Sequence, residues 1–330
     1  MQRIARFLPD RFTCLILLTV IIASLLPAHG QGIKTVGMIA NVAVGLLFFL
    51  HGARLSRDAV VAGLTHWRLH LTILSCTFLM FPVLGLLLKP VLEPMLTPQL
   101  YAGILFLCCL PSTVQSSIAF TSVARGNVPA AVCSASGSSL LGIFLTPLLV
   151  SLVLVGVTDA PISFDAIRTI VIQLLLPFIL GQFLRRWIGA WVHKKKATLK
   201  WVDQGSILLV VYTAFSEAVD EGLWHNTPVL SLLGLVVASS VLLALALLIS
   251  NFLGKAFGFT MPDRITLLFC GSKKSLATGV PMAQVIFAST GLGAIVLPLM
   301  IFHQIQLMVC GVLAGRFAKR PEDPNEPHHH

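Results

Sequence analysis

The chain has 330 residues, of which 56% are hydrophobic and only 11% charged, and its mean hydropathy is +0.90. Soluble domains carry roughly 25% charged residues, so a soluble enzyme or binding module is excluded and a polytopic membrane protein is expected. The net charge of +10 does not require a nucleic acid, because the basic residues sit in short loops between apolar runs, where membrane topology accounts for them.

Ten apolar runs are long enough to cross a bilayer: roughly 12–28, 35–52, 70–89, 100–122, 127–157, 165–185, 203–219, 228–251, 264–288 and 293–315. No small-residue cleavage site follows the first, so it is read as a span. The fourth is interrupted at Leu110-Pro-Ser-Thr-Val-Gln-Ser-Ser117, where Pro111 removes a backbone donor; a simple kink with back-bonded hydroxyls is the plainer alternative. The fifth holds Gly137, Gly142 and Pro147 and is expected to tilt or kink. Its run Ser134 to Ser139 suits a ligand set and a close-packing surface equally. Apart from Asp165 and Asp203, the first residues of the sixth and seventh runs, Glu217, near the end of the seventh, is the only acid within any span. In the tenth, His303, Gln304 and Gln306 either line a cavity or bond between helices. The seven cysteines show no metal spacing and are read as small apolar fillers. No phosphate loop, nucleophile triad or metal set is evident, so no enzyme and no resident cofactor are expected.

The ninth run contains Cys270-Gly-Ser-Lys-Lys-Ser-Leu-Ala-Thr-Gly-Val-Pro-Met-Ala-Gln284. A charge at bilayer depth costs at least ~2.5–3.5 kcal/mol, so Lys273 and Lys274 are expected to face protein or a water-filled cavity. Irregular backbone at that depth needs neighbouring protein or a cavity to satisfy it, so the stretch reads as a broken helix lining a site. Adjacent helical residues point about 100° apart. One lysine is therefore expected at the centre, and the sequence does not choose between them.

The positive-inside rule supports this count. With the N-terminus in the cytoplasm, 18 of the 23 lysines and arginines fall on the cytoplasmic side. Lys34, Lys89 and Arg168 fall outside, and Lys273 and Lys274 within the membrane. Both termini are then cytoplasmic, and the compact loops suit a bacterial inner membrane. Ten spans divide into five plus five about the loop near 158–165, and an odd number per half gives an inverted repeat. The fourth spans of the two halves, 100–122 and 264–288, are both interrupted. Interrupted segments at matching positions point to a transporter's binding site.

The Pro111 to Ser117 break, Ala124-Arg-Gly-Asn-Val128 and the polar break of the ninth span resemble the bile acid:sodium symporter family over nearly the whole chain. Leu47 to Ser56, His66-Trp-Arg-Leu-His70 and Phe269 to Ala277 resemble its subgroup of YfeH-type bacterial proteins and the seventh vertebrate member. The resemblance implies an all-α transporter domain over 1–330, built as two inverted five-helix repeats, 12–157 and 165–315. A panel (12–52 and 165–219) would stand beside a core (70–157 and 228–315), with the broken fourth and ninth helices crossing in the core. It further implies that Ser116 and Ser117, Ser134 and Ser136, and Thr77 stand at or near positions that hold sodium in the symporters. The glutamate of that set is replaced by Cys270, followed by the two lysines.

A secondary transporter that moves a small organic anion by alternating access is therefore expected. A lysine ammonium would occupy the place of sodium, held by break carbonyls and by Gln115, Ser116 or Ser117. Alternatively, a lysine that releases its proton would couple transport to protons. Pro111, Ser112, Thr113, Ser272, Ser275, Thr278, Gln284 and His303 are the candidates for lining the substrate cavity. The rivals are a sodium-coupled symporter, with sodium as the coupling ion, and a non-transporting membrane regulator of the same fold. The lipid bilayer and the anion are the expected partners. His66, Arg68 and His70 are expected to form a solvated face.

Overall fold

The computed structural model describes residues 11–54, 66–154, 171–220, 222, 224, 227–287 and 291–320. The mid-chain loop 158–165, the start of the sixth run and the basic residues Arg3, Arg6 and Arg57 lie outside the described residues. Helices and their connections make up all of the described chain, with no strand among it. In order they are α1 (Arg11–Leu25), α2 (Gln31–Arg54), α3 (Trp67–Ser75), a π-helical turn (Cys76–Met80), α4 (Phe81–Leu87), the short α5 (Lys89–Leu92), α6 (Pro98–Cys108), α7 (Val114–Val123) and α8 (Val128–Val153). A second π turn (Val171–Leu175) leads into α9 (Leu176–Lys194). There follow α10 (Lys196–Asp220), α11 (Val229–Ala256), α12 (Met261–Gly271), α13 (Leu276–Ile286) and α14 (Leu292–Phe317). Five stretches are long and apolar enough to cross a membrane: Gln31–Arg54, Trp67–Leu87, Val128–Val153, Val229–Ala256 and Leu292–Phe317. Their outward faces, such as Leu230 and Phe252 on α11, are apolar and exposed, as lipid contact requires.

The basic connection after the sixth run is helical rather than a loop. Helix α9 continues to Lys194 and α10 begins at Lys196. Between Trp191 and Trp201 there is no glycine or proline to stop a helix, and Lys, Ala and Leu favour one.

Helices α1 and α2 pack against α10, and α2 also lies along α9. That last contact is very close. A Cβ on Gly52 would stand 2.1 Å from the Phe178 carbonyl oxygen, and one on Gly181 2.0 Å from that of Phe49. Among the broken segments, α7 touches α8, α12 and α14, α6 lies on α14, and α10 reaches across to α13 and α14.

The turn from α7 to α8 is built by Ala124-Arg-Gly-Asn-Val128. Arg125 takes a left-handed conformation (φ 54°), and Gly126 N donates to the Thr121 carbonyl at 2.8 Å, closing the helix. Asn127 then caps α8 by accepting from Ala130 N, while its amide nitrogen donates to Asp263 Oδ1 at 2.8 Å. Asp263 reads as a loop acid in the sequence, yet it is 9% exposed in the first turn of α12. The guanidinium of Arg320 donates to the carbonyls of Ala124 and Arg125, and Arg125 donates back to the Arg320 carbonyl. These bonds tie the end of α14 to this turn.

Candidate functional site

The site begins with two helices that stop in mid-sequence. Helix α6 ends at Cys108 because Pro111 supplies no N–H, and Pro111 to Thr113 run without helix until α7 starts at Val114. Helix α12 ends at Gly271, and α13 starts at Leu276 with Ser275 as its cap, the hydroxyl accepting from Thr278 N at 3.3 Å.

Each break satisfies the other. Ser275 N donates to the Pro111 carbonyl at 2.9 Å. The Ser112 hydroxyl donates to the Cys270 carbonyl at 2.6 Å, that of Ser117 to Phe269 at 3.1 Å, and that of Thr113 to Lys274 at 2.9 Å. Two residues outside the breaks complete the set. Ser138 on α8 accepts from Ser112 N at 3.0 Å. Gln306 on α14 pairs with the Lys274 peptide, its Oε1 accepting from Lys274 N at 3.0 Å and its Nε2 donating to Lys274 O at 2.9 Å. Glycines let the strands of the knot approach: a Cβ on Gly142 would lie 2.7 Å from Pro111, and one on Gly279 2.5 Å from Leu110.

The two lysines are wholly buried but differently served. Lys274 Nζ donates to the carbonyls of Thr77 at 2.7 Å, Cys108 at 2.8 Å and Leu110 at 2.8 Å, and stands 4.2 Å from the Phe81 ring centroid. Three acceptors match the three donors of an ammonium. These oxygens are free for local reasons. In the i→i+5 register of the π turn, the amide that would reach Thr77 O belongs to Pro82, which has none. The Ser112 amide that would have closed on Cys108 O is spent on Ser138. Leu110 O precedes Pro111, beyond the end of α6. An ammonium at the carbonyl end of α6 also meets the negative end of that helix dipole.

Lys273 Nζ has no hydrogen-bond partner among the described residues and lies 3.8 Å from the centroid of the Phe120 ring. Neither lysine forms an ion pair among the described residues.

Comparison with known proteins fixes the lineage of this arrangement. The SBF-like CPA transporter family model matches residues 10–319. The chain belongs to that family. It is similar to the uncharacterised protein PA2026 of Pseudomonas aeruginosa (64% identical over 318 residues, 96% of each chain). It is also similar to the candidate symporter YfeH of Escherichia coli (54% over 316 residues, 95% of this chain and 94% of that one). Sodium/bile acid cotransporter 7-B of Xenopus laevis is 30% identical over 326 residues, 95% of this chain and 93% of that protein. The protein is thus a multi-pass membrane protein of a transporter family and not an enzyme.

Against this geometry, several expected ligands need correction. Neither ammonium is hydrogen-bonded to Gln115, Ser116 or Ser117: Gln115 is exposed, the Ser116 hydroxyl has no partner, and Ser117 bonds Phe269. Thr77 serves through its carbonyl, since its hydroxyl bonds back to Ile73 O. Ser134 pairs with His70 Nδ1 at 2.6 Å, so His70 is not part of a solvated face, whereas His66 and Arg68 are exposed. Ser136 is half-buried on α8. Of the cavity candidates, Pro111, Ser112, Thr113 and Ser275 are engaged in the knot, and the Ser272 hydroxyl bonds to Leu268 O. Thr278 Oγ1 and Gln284 Oε1 are buried on α13 without partners. His303 Nδ1 stands 2.8 Å from Gln306 Nε2. A cavity of about 810 Å³ lies along α9, between Phe178, Gln182, Phe183 and Arg186, and no break residue lines it.

Proposed function

We propose that the protein is a secondary transporter of a small organic anion, working by alternating access, in which the Lys274 ammonium stands where a coupling sodium ion would bind. The observation that carries this reading is the set of three backbone carbonyls around Lys274 Nζ, at 2.7–2.8 Å. Such a set would serve a small monovalent cation equally well. A second cation beside it would be repelled by about 4 kcal/mol at 4 Å, taking an effective dielectric near 20. The buried positive charge of two lysines favours an anionic cargo.

The same reading takes the ten apolar runs as two inverted five-helix repeats, 12–157 and 165–315. The broken fourth and ninth spans cross in a core (70–157 and 228–315), beside a panel (12–52 and 165–219). Its supports are the reciprocal hydrogen bonds between the breaks and the packing of α1 on α10 and of α2 on α9 and α10. The charge bias of the loops favours cytoplasmic termini, and the bacterial relatives favour a bacterial inner membrane.

Sodium-coupled symport is the second reading, favoured by the name of the Xenopus laevis relative. Thermal unfolding of the detergent-purified protein in sodium or potassium chloride separates the two. Lysine substitution predicts the same midpoint in both salts. A bound ion at a hundredfold excess over its Kd adds about 2.7 kcal/mol, so a rise in sodium alone would overturn the substitution.

A further inference from the structure

The two lysines are neighbours in sequence, equally buried and opposite in employment. Lys274 has used all three donors on carbonyls, and nothing remains with which to grip a ligand. Lys273 has used none. Native proteins seldom bury a polar group without a partner, and each case calls for a reason. An ammonium is the most costly group to leave so, and a phenyl face offsets only part of that cost.

Among the described residues no carboxylate pairs with Lys273. The titratable groups acting on Lys273 are the thiols of Cys270 on α12 and Cys310 on α14, and from α7 it meets the Phe120 ring. One helical turn before Phe120, on the same stripe of α7, the Ser116 hydroxyl also has no partner. That stripe lies at the edge of the packed interior. Ser116 and Phe120 are half-buried, and Gln115 and Ala119 beside them are exposed. The unused ammonium therefore sits behind the ring of a residue that itself reaches the outer surface of α7.

We infer that Lys273, and not Lys274, is the cation that meets the negative group of the cargo, with the Ser116 hydroxyl as a second donor beside it. This rests on the organic-anion reading and narrows it. One free ammonium with one hydroxyl matches a monoanion, a carboxylate or sulfonate, rather than a dianion. On this division Lys274 belongs to the fold and Lys273 to the ligand.

The test is thermal unfolding of the purified full-length protein in sodium-free buffer, for the parent, Lys273→Met and Lys274→Met. Acetate, benzoate and cholate, three monocarboxylates of increasing size, are added as N-methylglucamine salts, with chloride as the inorganic control. Without ligand, Lys273→Met is expected to melt at or above the parent, because an unpaired buried charge is replaced by an apolar chain of similar length. Lys274→Met is expected to melt well below it. At least one carboxylate should raise the parent midpoint by several degrees and leave Lys273→Met unmoved. If Lys273→Met keeps the parent's response, or loses as much stability as Lys274→Met, the assignment of Lys273 is wrong while the organic-anion reading stands. If chloride alone acts, Lys273 holds only a counter-ion and the assignment is also wrong. If no monocarboxylate moves the parent, the organic-anion reading itself fails, and the assignment with it.

Discussion

Lys274→Ala is the most informative single change at the crossing of the breaks. It strands three buried carbonyls, those of Thr77, Cys108 and Leu110. At ~1–3 kcal/mol for each unsatisfied group, the loss would be roughly 3–9 kcal/mol. Relief from burying an ammonium returns several kcal/mol of this, leaving roughly 3–5 kcal/mol. We take that as the net. At about 2–4 °C per kcal/mol, the melting midpoint should fall on the order of 10 °C. The alanine also leaves an empty ring of carbonyls sized for a small cation. Sodium at a hundredfold excess over its Kd would restore about 2.7 kcal/mol, and choline, which cannot enter the ring, would restore nothing. Melting curves of parent and variant in sodium, potassium and choline chloride measure both effects. A variant as stable as the parent and indifferent to sodium would refute the reasoning, because the carbonyls would then have found other partners.

Four further changes probe how the breaks and the α2–α9 contact are held. Gln306→Leu strands the Lys274 amide, while the Lys274 carbonyl keeps the Thr113 hydroxyl, and should cost ~1–3 kcal/mol, read as a lower melting midpoint with helicity by circular dichroism unchanged at 25 °C. Ser138→Ala leaves the Ser112 amide unpaired and should cost about 1–3 kcal/mol. Ser134→Ala frees only the half-buried His70, which water can serve, and should cost less; a larger effect at Ser134 would mean that the hydroxyls of α8 have been misassigned. Gly181→Ala places a Cβ 2.0 Å from the Phe49 carbonyl oxygen. The α2–α9 contact must then open, at about 3 kcal/mol or more, and reduced yield of monodisperse protein in detergent is the readout.

The breaks are legible in the sequence because a proline, two lysines and a cluster of hydroxyls inside apolar runs contradict a lipid-facing helix wherever they occur. What the sequence does not carry is the partner of each group. The hydroxyl run on α8 shows why. Ser134 and Ser138 are four residues apart and share a helix face, so the face was readable. Which turn meets Ser112 depends on where α7 crosses α8, and the structure selects Ser138. Thr77 enters through the family resemblance, but its contribution is a carbonyl released by a π turn that no residue pattern announces. Asp263 looked like a loop acid because charge in a loop is usually solvated. It is buried because the α7–α8 turn folds onto the start of α12 and presents Asn127 to it. The lysine pair could not be divided from sequence, since adjacent residues have the same depth and differ only in direction.

A fixed lysine in place of a coupling ion has a consequence for energetics. A sodium symporter draws on the sodium gradient, whereas a carrier whose cation is a lysine that stays protonated throughout the cycle has no ion to release and no gradient to use. Lys274, held by three carbonyls, would then leave the cargo to follow its own gradient and the membrane potential. A monoanion crossing 100 mV gains or loses about 2.3 kcal/mol, which at 1.4 kcal/mol per decade is roughly a 40-fold concentration ratio favouring the positive side. Proteoliposomes carrying the monocarboxylate that shifts the melting midpoint, with a potassium–valinomycin potential imposed in either direction and no sodium present, measure this directly. Accumulation should reverse when the potential is reversed and should ignore added sodium. Uptake that requires sodium and is unaffected by reversing the potential would show that an ion still travels with the cargo, and that Lys274 does not take its place.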